Sequence, residues 1–278
     1  MSENFQIHTD ISLLPANANE TYQNEGFGGL CTGGNAVIKL FSVRRKISRD
    51  DLVTVLPHQL VSISEVSDDF SMTFFKIDKP MFFDVMSGMG KLTPDFFFYM
   101  RKNFSSRLSA NQVKRFLGYC SAVNFRGNSD DPFFRRETVL HLLRIYYWDH
   151  YVAFQKKMEK TNKPVLNSNK EKIAFKFAML VSEHWDTRRK VGFYADKLCI
   201  TPVYLSQIMQ DIYGQRAHEI IADYVIVGLK TMLRNAELDI KDVACRAGFV
   251  SQSSFSRFFR KQTGMSPSEY RRTIHIMQ

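Results

Sequence analysis

The stretch KDVACRAGFVSQSSFSRFFRKQTGMSPSEYRR, Lys241–Arg272, decides the fold of the C-terminal part. It places Phe255, Phe258 and Phe259 at a spacing that predicts the inner face of a helix. Serines, glutamines and arginines fill the positions between them. Gly248 stands where a turn between two helices needs a positive φ. The stretch therefore predicts a helix-turn-helix whose second helix has a polar outer face.

A second copy of this pattern lies about 50 residues earlier, in FYADKLCITPVYLSQIMQDIYG. Ala195 matches Ala244 and Leu205 matches Phe255, with one residue inserted in the later copy. A repeat of this length indicates one supersecondary unit used twice. The apolar segment AHEIIADYVIVGLKTMLRNAELDI between the copies predicts a long, largely buried helix that fixes the two units relative to each other.

The outer faces of the two second helices carry side chains that suit DNA. Arginine pairs with O6 and N7 of guanine, glutamine pairs with adenine, and hydroxyls bond bases or phosphates. A solvated helix surface explains one such face better, but two faces in matched register favour DNA. Two recognition helices held one DNA turn apart, roughly 34 Å, would enter successive major grooves. The candidate DNA-binding residues are Val203, Ser206, Gln207, Gln210, Ser251, Gln252, Ser253, Ser256, Arg257, Arg260 and Lys261.

Residues 173–272 resemble the DNA-binding domain of the AraC/XylS-type transcription regulators. Phe249 after the turn glycine, the core Ser251–Arg260 and the closing GMSPSEYR carry the resemblance. It implies a sequence-specific transcription regulator that binds double-stranded promoter or operator DNA, with RNA polymerase as a further candidate partner. The family's base contacts would fall on Val203, Ser206, Gln207, Gln252, Ser253, Ser256 and Arg257.

The chain departs from the family pattern at four places, one of which is QRAHEII, where the family usually has Ser-Pro after the first unit. Gln207 stands where arginine is frequent, and Cys199 replaces a small residue or glycine. Gly228 interrupts the connecting helix, where glycine costs about 1 kcal/mol relative to alanine. A protein-interaction or architectural module that keeps the helical fold without reading sequence is the alternative function.

Short β-branched runs separated by polar turns, over residues 26–78, predict a small antiparallel sandwich or barrel. The glycine-rich GFGGLCTGG lacks the Gly-Lys-Ser/Thr of a phosphate loop and is interpreted as a cluster of β-turns. By resemblance we expect a cupin-like β-barrel followed by helices that sense a ligand, dimerise, or both. A small-molecule effector is therefore expected at this domain.

The segment that follows Pro132 is apolar on more than one face. A helix of this kind can pack on its own domain and on a second copy of the chain, which makes a homodimer a candidate. A helix sandwiched within one monomer fits equally well. The apolar positions are Val139, Leu142, Leu143, Ile145, Tyr146 and Trp148.

We predict an α+β chain in four parts. Residues 1–92 form the cupin-like β sensor domain, and 93–158 form a helical dimerisation or docking segment. Residues 159–170, rich in lysine, asparagine and serine, form a linker. Residues 171–278 form an all-α domain with two helix-turn-helix units joined by a long helix.

The formal net charge of +10 favours a polyanionic partner, either nucleic acid or an acidic membrane surface. Four cysteines without a CxxC pair suit reduced thiols, and no signal peptide or membrane-spanning run is seen, so we expect a cytoplasmic protein without a membrane partner. His141 and His150 are nine residues apart, on opposite faces of a helix. The chain therefore lacks histidines at the spacing of metal ligands. We predict that it is not an enzyme and has no catalytic residues, cofactor or metal.

Overall fold

The computed structural model describes residues 5–14, 25–40, 43–57, 59, 61–90, 92–126, 132–161 and 168–275. Contacts divide the chain into two compact units, residues 1–82 with 95–164 and residues 83–94 with 165–278. Phe83–Pro94 thus lies with the second unit, although most of it falls within the predicted sensor domain. The predicted domain boundaries otherwise stay a prediction.

The strands of the first unit are β1 (Ile7–His8), β2 (Glu25–Gly33), β3 (Asn35–Leu40), β4 (Val43–Ser48), β5 (Asp51–Val55), β6 (Val61–Ser64), β7 (Ser71–Asp78) and β8 (Ser105–Arg107). They form a five-stranded sheet in the order β1-β7-β2-β5-β8 and a three-stranded sheet in the order β4-β3-β6. Every described pairing is antiparallel.

The two sheets share one apolar core. Phe27 and Phe74 come from the first sheet, and Ile38, Ile47 and Ile63 come from the second. Residues alternate between buried and accessible along β3, as expected for a sheet with one packed face. The sheet-rich N-terminal region and the helical C-terminal region confirm the predicted α+β class; the narrower cupin-like description stays a prediction.

The glycine-rich segment is a strand, so its interpretation as a cluster of β-turns is wrong. Strand β2 pairs with β5 and β7 in the middle of the larger sheet. A Cβ at Gly28 would lie 2.5 Å from the ring of Phe75 and 2.8 Å from the hydroxyl of Tyr146, and one at Gly29 would lie 2.6 Å from Phe74 Cβ. The glycines are needed because aromatic side chains from distant segments pack directly on this backbone.

Four helices accompany the sheets in sequence: α1 (Lys79–Ser87), α2 (Pro94–Lys102), α3 (Ala110–Arg126) and α4 (Pro132–Thr161). Helix α1 crosses from the first unit into the second at Phe83. Helix α4 buries Tyr146 on one face and exposes Ile145 and Trp148 on another, so it is apolar on two sides. It also extends past the predicted start of the linker at Glu159.

The helices after the linker are α5 (Asn169–His184), α6 (Val191–Lys197), α7 (Pro202–Tyr213), α8 (Ala217–Leu233), α9 (Ile240–Arg246), α10 (Gln252–Thr263) and α11 (Pro267–His275). Within the described residues, no helix has both the length and the apolar character needed to cross a membrane.

Helix α8 runs without a break through Gly228, so the expected interruption is wrong. A Cβ at this position would lie 2.3 Å from the ring of Trp185. The glycine therefore serves helix packing, because the indole occupies the space that any side chain would take. The helical path is preserved since α8 buries its apolar residues along its whole length.

Candidate nucleic-acid interface

The first helix-turn-helix consists of α6, a tight turn and α7. The Ile200 amide donates to the carbonyl of Ala195 over 3.1 Å, which closes the turn. Cys199, inside the turn, adopts a left-handed φ of 55°. Helix α7 begins at a cap, because the hydroxyl of Thr201 accepts a hydrogen bond of 3.1 Å from the Tyr204 amide.

The second helix-turn-helix repeats this geometry with α9 and α10. The Phe249 amide donates to the carbonyl of Ala244 over 2.9 Å, and Gly248 has a φ of 64°. The hydroxyl of Ser251 accepts a 3.1 Å hydrogen bond from the Ser254 amide and caps α10. The two units are therefore closed by the same bond at matched positions.

Each second helix is anchored by an apolar stripe, which fixes the face that it shows to its surroundings. In α7 all three predicted stripe residues are fully buried. In α10 two phenylalanines are fully buried, and the third is partly exposed against the ring of Phe249. The stripe residues are Leu205, Ile208 and Met209 in α7, and Phe255, Phe258 and Phe259 in α10.

The predicted DNA-binding positions lie opposite these stripes, and each is at least partly accessible. The apolar side chain of Val203 is 80% exposed near the start of α7. Ser206, Gln210 and Ser256 are partly buried. The exposed positions are Val203, Gln207, Ser251, Gln252, Ser253, Arg257, Arg260 and Lys261.

Three of these side chains already make hydrogen bonds in the free protein. Ser251 acts as the cap described above, which leaves its O–H free to donate. The amide nitrogen of Gln210 donates to the carbonyl of Gly214 over 3.1 Å. The amide nitrogen of Gln207 donates to a carboxylate oxygen of Asp211 over 2.8 Å. Gln207 is thus held in one orientation before any ligand arrives.

The pair of helix-turn-helix units is similar in sequence to known proteins. A family model described as a helix-turn-helix domain matches residues 194–273. The regulatory protein SoxS of Escherichia coli K12 is 30% identical over 108 residues, which are 37% of this chain and 97% of SoxS.

The chain belongs to the AraC/XylS-type family of transcription regulators. The uncharacterized regulator YijO of E. coli K12 is 40% identical over 81 residues, and the chain spans only 29% of its length. The arabinose operon regulatory protein of Salmonella typhimurium is 33% identical over 92 residues, a third of each chain. A crystal structure of ToxT from Vibrio cholerae O395 aligns over 99% of this chain and 98% of ToxT, with 16% identity and a TM-score of 0.38.

In this AraC/XylS-type regulator, Arg189 supports the second helix-turn-helix from outside it. Its guanidinium lies 3.6 Å from the centre of the Phe249 ring and donates to the carbonyl of Ala247. Burial lowers the pKa of Arg189. Arg189 precedes α6 and contacts a turn about 60 residues later. No local pattern marks it, so sequence reasoning missed it.

The connecting helix α8 carries a buried ion pair, which sequence reasoning also missed. The Lys230 ammonium lies 2.6 Å from a carboxylate oxygen of Asp84, and the hydroxyl of Tyr270 donates to the same oxygen over 2.8 Å. All three residues are buried. On the next turn, Arg234 donates to the hydroxyl of Ser87 over 3.2 Å. The segment Phe83–Pro94 is therefore part of the packing of the DNA-binding unit.

The first unit contains a cavity of about 230 Å³ between α3, α4 and the edge of β5 and β8. Two of its lining residues, Tyr146 and His150, share a buried partner: the hydroxyl of Thr54 bonds Tyr146 and lies 3.1 Å from a ring nitrogen of His150. Burial lowers the pKa of His150 to about 4, so the ring is neutral at pH 7. The cavity lining includes Leu52, Leu108, Arg115, Phe116, Asp149 and Lys156.

Within the described ranges, no group of three or more histidine, cysteine, aspartate or glutamate side chains is placed to hold a metal ion. His150 points to Thr54, whereas His141 on the opposite face of α4 bonds the carbonyl of Glu137. His58 lies outside the described residues. The accessible face of α7 offers hydrogen-bonding side chains, and that of α10 adds the positive charges of Arg257, Arg260 and Lys261.

Proposed function

We propose that the chain is a sequence-specific regulator that reads two successive major grooves, one with α7 and one with α10. The observation that carries the proposal is the pair of helices, capped and closed alike, whose apolar stripes are buried and whose outer faces are polar. The N-terminal residues of a recognition helix make base contacts in proteins of this architecture. The eleven predicted positions supply contacts to bases and to phosphates.

Each type of side chain has a defined role in this proposal. Arg257 is exposed in the middle of α10 and can donate two hydrogen bonds to guanine. Gln252 can pair with adenine, and exposed Val203 suits the methyl group of thymine. Arg260 and Lys261 lie in the last turn of α10 and neutralise phosphates. The serines bond bases or phosphates.

The test is selection of bound fragments from a random duplex library with the full chain and with Arg257→Ala. We expect the variant to lose preference at one base pair and about 1–3 kcal/mol of binding free energy. Arg272→Ala, an exposed arginine on α11, is the matched control and keeps the wild-type preference. Equal binding of all duplexes by the wild type would leave only an architectural role.

We also propose that a small molecule modulates the regulator through the first unit. The cavity beside α3 and α4 combines apolar side chains with three charged ones, Lys156 and the ion pair of Arg115 and Asp149 at 2.7 Å. A ligand that binds there should raise the melting temperature of the wild type. Phe116→Trp fills the space, so the same ligand should give no shift with that variant.

We further propose that α4 joins two copies of the chain. Ile145, Trp148 and Val152 are exposed on one face at spacings of three and four residues, which suits a helix–helix contact. Sedimentation of the full chain at tens of micromolar should show a dimer, and Trp148→Glu should give a monomer. A wild-type monomer at that concentration contradicts this part.

Direct contact with RNA polymerase belongs to the same proposal, since a regulator at a promoter works beside that enzyme; no surface is assigned to it. Because the partner is DNA, we place the chain in the cytoplasm with it. We assign no catalytic step to the chain.

A further inference from the structure

Three side chains from two helices form a short hydrogen-bonded chain beside the outer face of α7. The Lys170 ammonium, at the start of α5, lies 2.7 Å from Asp211 Oδ2. The Gln207 amide nitrogen donates to Asp211 Oδ1 over 2.8 Å. Gln207 and Asp211 are one helical turn apart, and packing of α5 against α7 brings Lys170 to them.

The carboxylate decides which end of the Gln207 amide faces outward. Hydrogen bonds from Lys170 and then from Gln207 lower the pKa of Asp211, so this group is ionised at neutral pH. An ionised carboxylate only accepts hydrogen bonds. The amide must therefore turn its nitrogen to Asp211, and its carbonyl oxygen and second N–H remain available to a ligand.

We infer that Asp211 is a positioning residue that makes the first helix-turn-helix prefer adenine, and that Lys170 compensates the charge of Asp211. This inference rests on the base-contacting role proposed above for Gln207. Adenine offers an amino donor at N6 beside the acceptor N7, which matches an outward oxygen and N–H. Guanine presents two acceptors, O6 and N7, to which the fixed carbonyl oxygen cannot donate.

Lys170 has a second effect, which concerns charge. A carboxylate beside a DNA-reading helix is repelled by the phosphates, and the ammonium at 2.7 Å compensates that charge. Lys170 therefore keeps Asp211 compatible with DNA while Asp211 orients Gln207. Loss of Lys170 should weaken binding to all sequences more than it changes the preference at one position.

The experiment is selection from a random duplex library with the full chain, followed by affinity measurements on duplexes that differ at one position. Gln207→Ala identifies the position, because its preference disappears there. Wild type should favour an A·T pair over a G·C pair in either orientation at that position by roughly tenfold. In Asp211→Asn the new amide can donate to the carbonyl oxygen of Gln207 or accept from its nitrogen. Gln207 can then turn its N–H groups outward, so affinity for a duplex with guanine should come within about twofold of that with adenine.

Lys170→Ala should weaken binding to all duplexes, whereas Lys172→Ala, which removes another exposed charge from α5, should leave affinity and base preference unchanged. Thermal melting of each variant identifies any that fails to fold. Asp211→Glu keeps a carboxylate at this position and should therefore retain the wild-type base preference. A wild-type preference for a G·C pair in either orientation at the Gln207 position overturns the inference, as does Asp211→Asn with unchanged preferences. Both results leave the proposed function standing, whereas a wild type without any preferred sequence overturns that function itself.

Discussion

Removing the Asp84 carboxylate should destabilise the second unit strongly. Asp84 is 3% exposed and accepts from the Lys230 ammonium at 2.6 Å and from the Tyr270 hydroxyl at 2.8 Å. Asp84→Leu removes the counter-charge of a buried ammonium, which typically costs about 3–5 kcal/mol. Pairing it with Lys230→Met gives two apolar side chains, and this double variant should lie within about 2 kcal/mol of wild type.

The assay is urea unfolding, followed by the fluorescence of Trp185 in a Trp148→Phe background. The chain has two tryptophans, and Trp185 packs against Gly228 of α8, so it reports on the second unit. Linear extrapolation gives a free energy of unfolding for each member of the cycle. The coupling between the two substitutions should be at least about 2 kcal/mol.

The matched control is Lys170→Ala, which removes an exposed ion pair from the same unit. Its effect on the free energy of unfolding should be small, because water screens an ion pair at the surface. If Asp84→Leu costs no more than this control, or if the coupling is near zero, the buried ion pair does not stabilise the unit and the reasoning is refuted.

Three further outcomes can be measured by unfolding. Cys199→Gly should stabilise the second unit by about 0.5–1 kcal/mol, because a left-handed φ of 55° is strained for a residue with a Cβ; a loss of stability contradicts this. Gly228→Ala should destabilise by about 1–3 kcal/mol despite its better helix propensity, because the new methyl overlaps the ring of Trp185; a gain shows that the indole moves freely. Burial lowers the pKa of His150 from 6.5 to about 4, so the unfolded chain binds more protons between these values. Stability should therefore fall by up to about 3 kcal/mol as pH drops from 6.5 to 4, and His150→Gln should flatten that dependence; an unchanged slope in the variant contradicts this.

The double helix-turn-helix could be predicted from sequence because its determinants are local. The caps at Thr201 and Ser251 and the turn at Gly248 lie within a few residues of the bonds that they make. The spacing of the phenylalanines fixed the buried side of α10, and this fixed the accessible side as well.

The features that sequence reasoning missed depend on partners distant in the chain. The glycines of β2 suggested turns, but Phe74 and Phe75, about 45 residues later, fill the space above them. Gly228 suggested a break, although Trp185 accounts for it. The pair of Asp84 and Lys230 spans 146 positions, and no periodicity relates them. Pairing across such separations becomes visible only in three dimensions.

The discontinuous make-up of the second unit has a consequence for synthesis and for cutting the chain. Asp84 leaves the ribosome well before α8 and α11 exist, so this unit can complete its interior only near the end of translation. A fragment cloned from the linker onward starts without that carboxylate, although its lysine must still enter the interior. Joining Phe83–Pro94 back to such a fragment, or replacing Lys230 by methionine, should restore a stably folded fragment.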